Sequence, residues 1–591
     1  MGSLLHALLP LLLHVGATEG PHAHAGSSSA SWRERAVAWE PHLGRFAFNV
    51  TTRSTEAQRL FRIGLLLIYN FDQDNAKSAF QAALAVDAEC AMCAWGLAHA
   101  SGPYLNVAVK GPEDLALGLS AARNASVLLA RRPAAHSSKE RALVGAMAVR
   151  YPADPAGDQT ATYGRYAAEL RRLREADPSL REDPDMLVFD AEAVMILMCD
   201  RSGYHFYETH GDAAPPVERP ETKEARALIR AALGRSNQTH PYAHHLLIHV
   251  TEMSNSEAET AVASAFKLQK EMAGLQDQHL QHMTSHTFLR TGRYHAAVLA
   301  NEVAAATDAT YLRHGLMPNG PGHNSAFLVL SAMWGGERAT AYRSAQVMQR
   351  FFAQHPDYAD LPDGGRAWSL PMLVALRFGD WGLVDALDVV PPGGCAERWP
   401  YGHGVLRHFA RGAAALHLGR PAGAEGHLAA LRRLAPAVAA TGKASLQNLT
   451  AIAEHVLSGA LAHSRGDLAG AVEALRRAAE RELAMPYSEP PDWPLPSREC
   501  LGQALLDAGR PREAEQVFRT TLLGYSFHAE PHCGWALFGL RASLLQQGPI
   551  AGREREVQNL TQQLEAAWRH ADVELRSPCS LLAAVQAPVL V

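Results

Sequence analysis

Along this 591-residue chain a glycine and an alanine recur twelve residues apart, as in Gly64 with Ala76, Gly412 with Ala424, Gly459 with Ala471, and Gly502 with Ala514. Residues this small let two helix backbones approach closely. A twelve-residue step spans the end of one helix, a short turn and the start of the next. The turns agree, since Gly466-Asp467 and Gly509-Arg510-Pro511 precede two of the alanines. Around the first pair, Leu60, Ile63 and Gly64 are followed by Ala76, Phe80 and Ala83, so that Phe80 fills the gap between hairpins. Ala297 after Gly292-Arg293-Tyr294, and Ala341 after Gly335-Gly336, continue the series. Such repetition predicts stacked helical hairpins, each burying its apolar face on its neighbours.

The chain is too long for one compact core. Apolar residues make up 47% and aromatic residues 7%, and recurrent Ala, Leu, Arg and Glu favour helices over sheets. The formal charge of -5 comes without a basic stripe, so no nucleic-acid partner is expected. Beyond the first residues, no segment reaches the roughly 18 apolar residues of a membrane span, so none is expected in the mature chain.

The small-residue positions are the signature places of tetratricopeptide (TPR) repeats, and the chain resembles that superfamily over most of its length. The stretches Cys90-Ala-Met-Cys-Ala-Trp-Gly, His240-Pro-Tyr-Ala-His-His-Leu-Leu-Ile-His-Val-Thr-Glu, His282-Met-Thr-Ser-His, Gly292-Arg-Tyr, His323-Asn, Glu489-Pro-Pro-Asp-Trp and Ser577-Pro-Cys are similar to those of a family of secreted, largely bacterial TPR proteins. Motif order and spacing match from about residue 40 to 580. The resemblance implies an all-α, TPR-like α-solenoid and no particular activity. Around Cys199-Asp200-Arg201 the family's Pro-Trp pair is missing, which leaves that loop open.

An apolar stretch from Leu4 to Val15, with Ala17 behind it, reads as a secretory signal peptide over residues 1–17. Residues 18–40, with His22, His24 and a serine run, read as a flexible mature N-terminus. Breaks at Pro152 to Gly157, Asp212 to Glu221 and Pro391 to Pro400 suggest N-terminal helical repeats over 41–210, central His-rich repeats over 222–355 and C-terminal repeats over 356–591. Five of the twelve asparagines, Asn49, Asn124, Asn237, Asn448 and Asn559, lie in glycosylation acceptors, which supports secretion or residence in the secretory lumen. The sequence leaves the pairing of the seven cysteines (Cys90, Cys93, Cys199, Cys395, Cys500, Cys533, Cys579) open, and Cys90 and Cys93, inside a predicted helix, read as buried small hydrophobes or one disulfide. The single Cys-x-x-Cys pair has no second pair to complete a four-thiolate zinc site.

Histidine is the outlier, with 29 copies. A helix from Pro241 to about Met253 carries His245, His249 and Glu252 on one face. A helix from about Glu257 to Met272 carries no histidine, and one from Gln278 to Arg290 carries His279, His282 and His286 on one face. His323 opens the next hairpin. By their places in the repeat these residues face the concave groove, where first helices of successive hairpins lie side by side and their imidazoles converge. Imidazole is a borderline-soft ligand, and two histidines one turn apart can grip one ion. The set His245, His249, His279, His282, His286 and His323 therefore reads as a transition-metal site. Copper is favoured, with zinc or iron as alternatives, held as one ion with supporting histidines or as two ions. Glu252 is the candidate base or carboxylate ligand, and Glu192 a supporting group. His240 reads equally as ligand or helix cap, and the Glu489–Trp493 stretch as an ordered loop between helices.

These features point to a metalloenzyme, with oxidative chemistry on a small molecule or peptide held in the groove. Two alternatives remain at this stage: a non-catalytic scaffold for a peptide or protein partner, and a metal carrier. There is no nucleophile elbow, phosphate-binding glycine loop or His-Glu-x-x-His.

Overall fold

The computed structural model describes residues 46–582, apart from 155–156, 201–202, 272–277, 315, 319, 357–361, 388–399 and 549–552. The signal peptide, His22, His24 and Cys395 lie outside the described residues.

The chain is an all-α, TPR-like solenoid of 24 α-helices among the described residues. The N-terminal hairpins are built from α1 (Thr55–Tyr69), α2 (Gln73–Val86), α3 (Ala91–Ser101), α4 (Pro112–Arg131), α5 (Ser138–Met147), α6 (Thr160–Ala176), α7 (Pro184–Ile196) and α8 (Pro220–Arg235). The middle holds α9 (Pro241–Thr251), α10 (Asn255–Phe266), α11 (Gln278–Arg290), α12 (Tyr294–Arg313), α13 (His323–Gly335), α14 (Arg338–Gln354), α15 (Pro362–Phe378) and α16 (Trp381–Ala386). The C-terminal part holds α17 (Pro400–His417), α18 (Pro421–Ala440), α19 (Ala444–Ser464), α20 (Leu468–Leu483), α21 (Ser497–Asp507), α22 (Pro511–Leu523), α23 (Gly534–Gln546) and α24 (Glu554–Ala567).

Local chemistry sets the helix starts. Ser54 and Asp72 cap α1 and α2 by accepting from the backbone N–H of Ala57 and Asn75. Ser137 and Glu140 form a reciprocal capping box on α5. Proline occupies the first turn of α4, α7, α8, α9, α18 and α22, where its missing N–H costs nothing.

The small-residue spacing acts as the sequence indicates. A Cβ on Gly64 or Gly96 would run into the ring of Phe80, so three helices meet around that one side chain. Gly502 and Gly539 receive Phe518 in the same way near the other end. Successive hairpins thus interlock through glycine-lined sockets.

Three local features depart from the helical reading. Where the Pro-Trp pair is missing, β1 (Cys199–Asp200) pairs with β2 (Gly203–Tyr204), and β3 (Tyr207–Glu208) pairs with β4 (Val217–Glu218), each antiparallel. The helix expected to reach Met272 ends as an α-helix at Phe266 and widens into a π-helical turn over Lys267–Glu271. Among the described residues two disulfides form, Cys90–Cys93 and Cys500–Cys579, while Cys199 and Cys533 are buried free thiols.

The array also folds back on itself. Tyr294 donates to the carbonyl of Pro531 at 2.8 Å, Trp334 to that of Pro494 at 3.3 Å, and Asn255 to that of Ala529 at 3.4 Å. Arg498 pairs with Asp212 across nearly half the chain. The segment between α20 and α23 therefore lies over the middle helices. No helix among the described residues is long and apolar enough to cross a membrane.

The sockets can be tested by filling them. Gly96→Ala and Gly502→Ala should each lower stability by about 1–3 kcal/mol through overpacking. Gly164→Ala, where an added methyl meets nothing within 4 Å, should leave stability unchanged or raise it by roughly 0.5–1 kcal/mol. Urea unfolding midpoints distinguish the three.

Candidate metal centre

The site is assembled from three first helices and two distant loops. Helix α9 supplies His245 and His249, with Glu252 at its C-cap; α11 supplies His279, His282 and His286; α13 starts with His323. The sequence places these side chains on an open groove. The structure instead buries them, with only His323 half-exposed. Two coverings account for the difference: the end of the first hairpin on one side, and the loop after α20 on the other.

The first covering begins with Asn70. Its side-chain oxygen accepts from the backbone N–H of His279 at 2.9 Å and of Leu280 at 3.2 Å, capping α11 from more than two hundred residues away. The neighbouring Tyr69 carbonyl accepts from Nδ1 of His245 at 2.7 Å. Phe71, held at a positive φ of 57°, packs its ring on His245, His249 and His279 at centroid distances of 4.4–5.3 Å. The β2 residue Tyr204 meets His249 edge-on.

The six histidines form two triads. Ligand atoms of His245, His249 and His279 lie within 4.8 Å of one another, and so do those of His282, His286 and His323. The triads adjoin on α11, where the rings of His279 and His282 are 5.8 Å apart.

In the first triad all three Nε2 atoms are buried and without a hydrogen-bond partner. The tautomers follow from what the other nitrogens meet. Nδ1 of His245 donates to a carbonyl, and Nδ1 of His249 faces Glu252 Oε1 at 3.2 Å. Both leave the Nε2 lone pair free, the arrangement by which carbonyls and carboxylates orient metal-bound histidines.

In the second triad, Asn301 Oδ1 accepts from Nδ1–H of His282 at 2.8 Å, because the Asn301 amide nitrogen itself donates to the Ala297 carbonyl. His282 Nε2 then faces His286 Nε2 at 2.9 Å. Phe327 stacks on His286 and meets His282 edge-on, each at 4.6 Å.

Burial and the crowding of neighbouring imidazoles push His245, His279 and His282 well below the ordinary histidine range, so these rings stay neutral, as a ligand must. His286 differs. Burial penalises its charge, but Glu489 and Glu252 outweigh that and raise it to about 9 in the metal-free chain. Its Nδ1 lies 2.8 Å from Glu252 Oε2 and against Glu489.

Glu489 is the site residue that sequence reasoning missed. Its stretch reads as a loop between helices, and so it is, but its carboxylate reaches His286 and pairs with Arg290 at the end of α11. Only the Glu-Pro-Pro-Asp-Trp motif itself marked the position. Two supporting roles also resolve. Glu192 pairs with His99 at 3.3 Å on α3 and stands apart from the histidine triads. His240 caps α9, accepting from the N–H of Ala243, while its Nε2 faces Asp185 at 3.2 Å.

No family model and no curated protein matches the chain. Among solved structures it is similar to the human IFIT1 dimer with m7Gppp-AAAA, at 13% identity over 93% of this chain and 96% of that one, with a TM-score of 0.31. It is also similar to yeast Tom70, at 11% identity over 85% and 99% of the two chains with a TM-score of 0.26. A third is the P58(IPK) TPR domain, at 11% identity over 87% and 98% with a TM-score of 0.23. Likeness at this level carries nothing about activity or partners.

Removing the Glu489 carboxylate leaves the Arg290 guanidinium buried without its counter-charge. Glu489→Leu should therefore cost about 3–5 kcal/mol in the metal-free protein, read as a shift in the denaturant midpoint, whereas Glu192→Gln should leave metal content unchanged.

Proposed function

We propose that this chain is a metalloprotein of the secretory lumen or extracellular space whose two histidine triads each hold one transition-metal ion, copper before zinc or iron, and that it carries out oxidative chemistry on a small molecule or peptide. The observation that carries the reading is the set of three buried, unpartnered Nε2 atoms of His245, His249 and His279. A buried polar atom left without a partner costs about 1–3 kcal/mol. Three such residues whose ligand atoms lie within 4.8 Å of one another make sense as ligands for an ion.

All-imidazole coordination without thiolates suits copper, and the free thiols Cys199 and Cys533 belong to neither triad. In this reading His245, His249 and His279 bind one ion, and His282, His286 and His323 the other, whose binding displaces the proton that His286 carries in the metal-free chain. A pair of copper ions would supply electrons for dioxygen reduction. Glu252 and Glu489, both against His286, are placed to hold a proton beside the second ion. Two disulfides and the exposed acceptors Asn49, Asn124, Asn237 and Asn559 are in keeping with an oxidising, glycosylating compartment. Burial of the histidine faces fits a metal chamber better than an open peptide-binding groove.

Copper reconstitution of tag-free protein, followed by elemental analysis, tests this directly. The native chain should bind two equivalents, and His249→Ala and His282→Ala should each lose one. Asn301→Leu should weaken binding at the second triad by roughly 10–100-fold through the loss of the His282 anchor. Sub-stoichiometric metal in the native chain, or content indifferent to both histidine changes, would overturn the reading. Oxygen uptake by the loaded protein then separates an enzyme from a carrier.

A further inference from the structure

Among the described residues, three aromatic side chains other than histidine lie against the first triad. Phe71 packs on all three rings, Tyr204 meets His249 at a centroid distance of 5.7 Å, and Tyr242 meets His245 at 5.9 Å. Of the three, only the phenols give up an electron readily. A phenol that has lost an electron is a strong acid, so it also needs a base to take its proton, and here the two tyrosines differ. Tyr204 donates its hydroxyl to Oδ1 of Asn106, an amide oxygen too weakly basic to keep a proton. Tyr242 turns its hydroxyl toward the Glu192 carboxylate. Both that hydroxyl and Glu192 Oε1 are buried, and neither has a hydrogen-bond partner elsewhere.

The carboxylate is kept ready as a base. Arg150 donates to Nδ1 of His99 at 2.9 Å, so the other ring nitrogen carries its hydrogen toward Glu192 Oε2, 3.3 Å away. Burial opposes the charge on Glu192, but His99 and Arg150 outweigh it and hold the carboxyl below its ordinary range. Tyr69 supports the phenol from its other side. Its ring stacks on Tyr242 at 4.6 Å with 14° between the planes, and its backbone carbonyl accepts from Nδ1 of His245 at 2.7 Å. A hydrogen bond and a ring stack therefore link His245 to Tyr242, beside their direct contact within α9. This explains a buried, ionised glutamate that holds neither triad.

We propose that Tyr242 is a redox-active residue, which supplies one electron to the site at His245, His249 and His279 when no substrate does so and passes its phenolic proton to Glu192. The phenol and the carboxylate become a neutral tyrosyl radical and a carboxylic acid. The electron goes to an oxidant of the class formed when dioxygen or a peroxide is reduced at copper. No other bond forms or breaks, and the histidines are spared oxidation. The inference rests on the metalloprotein reading and extends it by naming the residue that discharges an unused oxidising equivalent.

The test mixes copper-loaded, full-length protein with hydrogen peroxide, freezes samples at intervals for electron paramagnetic resonance, and measures copper content on the same preparation. The native chain should give a tyrosyl radical signal. Tyr242→Phe, which keeps the ring stack, should lose the signal and show more oxidised His245, His249 and His279 by peptide mass spectrometry, whereas Tyr204→Phe should keep it. Glu192→Gln should slow its appearance by about 100-fold, the lower end of what a positioned base contributes, with copper content unchanged. A carboxylate with only a structural role would not alter that rate. Full copper without a radical, a signal indifferent to Tyr242→Phe or to Glu192→Gln, a signal lost in Tyr204→Phe, or histidine damage no greater in Tyr242→Phe than in the native chain would each overturn the proposal alone. A chain that takes up no copper would overturn it together with the metalloprotein reading. Should Tyr242→Phe or Glu192→Gln fail to fold, the other decides.

Discussion

The chamber at the centre of this molecule depends on three consecutive residues at the end of the first hairpin. Tyr69, Asn70 and Phe71 reach helices that follow them by some 170 to 210 positions. There they anchor a histidine ring through a backbone carbonyl, cap the first turn of α11, and cover three imidazoles with a phenyl face. Each contact answers a need of its partner. The first N–H groups of a helix have no intrahelical acceptor, a buried imidazole N–H needs an acceptor, and a phenyl face excludes water from the rings it covers. The residues that close the site from outside also orient it from within.

Closure from the other side is electrostatic. Arg290 ends α11, and Glu489 descends from the loop after α20 to meet it, bringing its second oxygen against His286. Such a pair is costly to bury and is tolerated only where both partners are present. It ties the C-terminal hairpins to the helix that bears three of the six clustered histidines. A simple superhelix would leave a groove between its ends. Here the fold-back of the 485–533 segment converts that groove into an enclosed space. The hairpin array is thus rigid where glycine sockets lock it and specialised where distant loops cover it.

The histidine faces themselves were readable from spacing. On α11 the offsets of three and four residues place His279, His282 and His286 on one side, and the helix runs from Gln278 to Arg290 as the pattern indicates. Helix α10 was less legible, because Lys267 to Glu271 continues its amphipathic pattern while the backbone widens into a π-turn that no propensity announces. The short strands near Cys199 were hidden for another reason: two-residue pairings are too brief to show an alternating period. Glu192 shows the limit of proximity by guesswork. It is acidic and central, yet it faces His99, because α7 packs on the N-terminal hairpins.

The amino-acid sequence determined by itself the repeated hairpin, since glycine and alanine at a constant step admit only close helix packing, and it determined which histidines share a helix face, since helical periodicity is local. The tertiary structure alone decided that those faces would be sealed rather than open, that six histidines would divide into two triads, and that Glu489 would join them. Each of those outcomes rests on contacts between segments far apart in the chain, whose meeting depends on how many small rotations accumulate from hairpin to hairpin, and no local pattern records that sum.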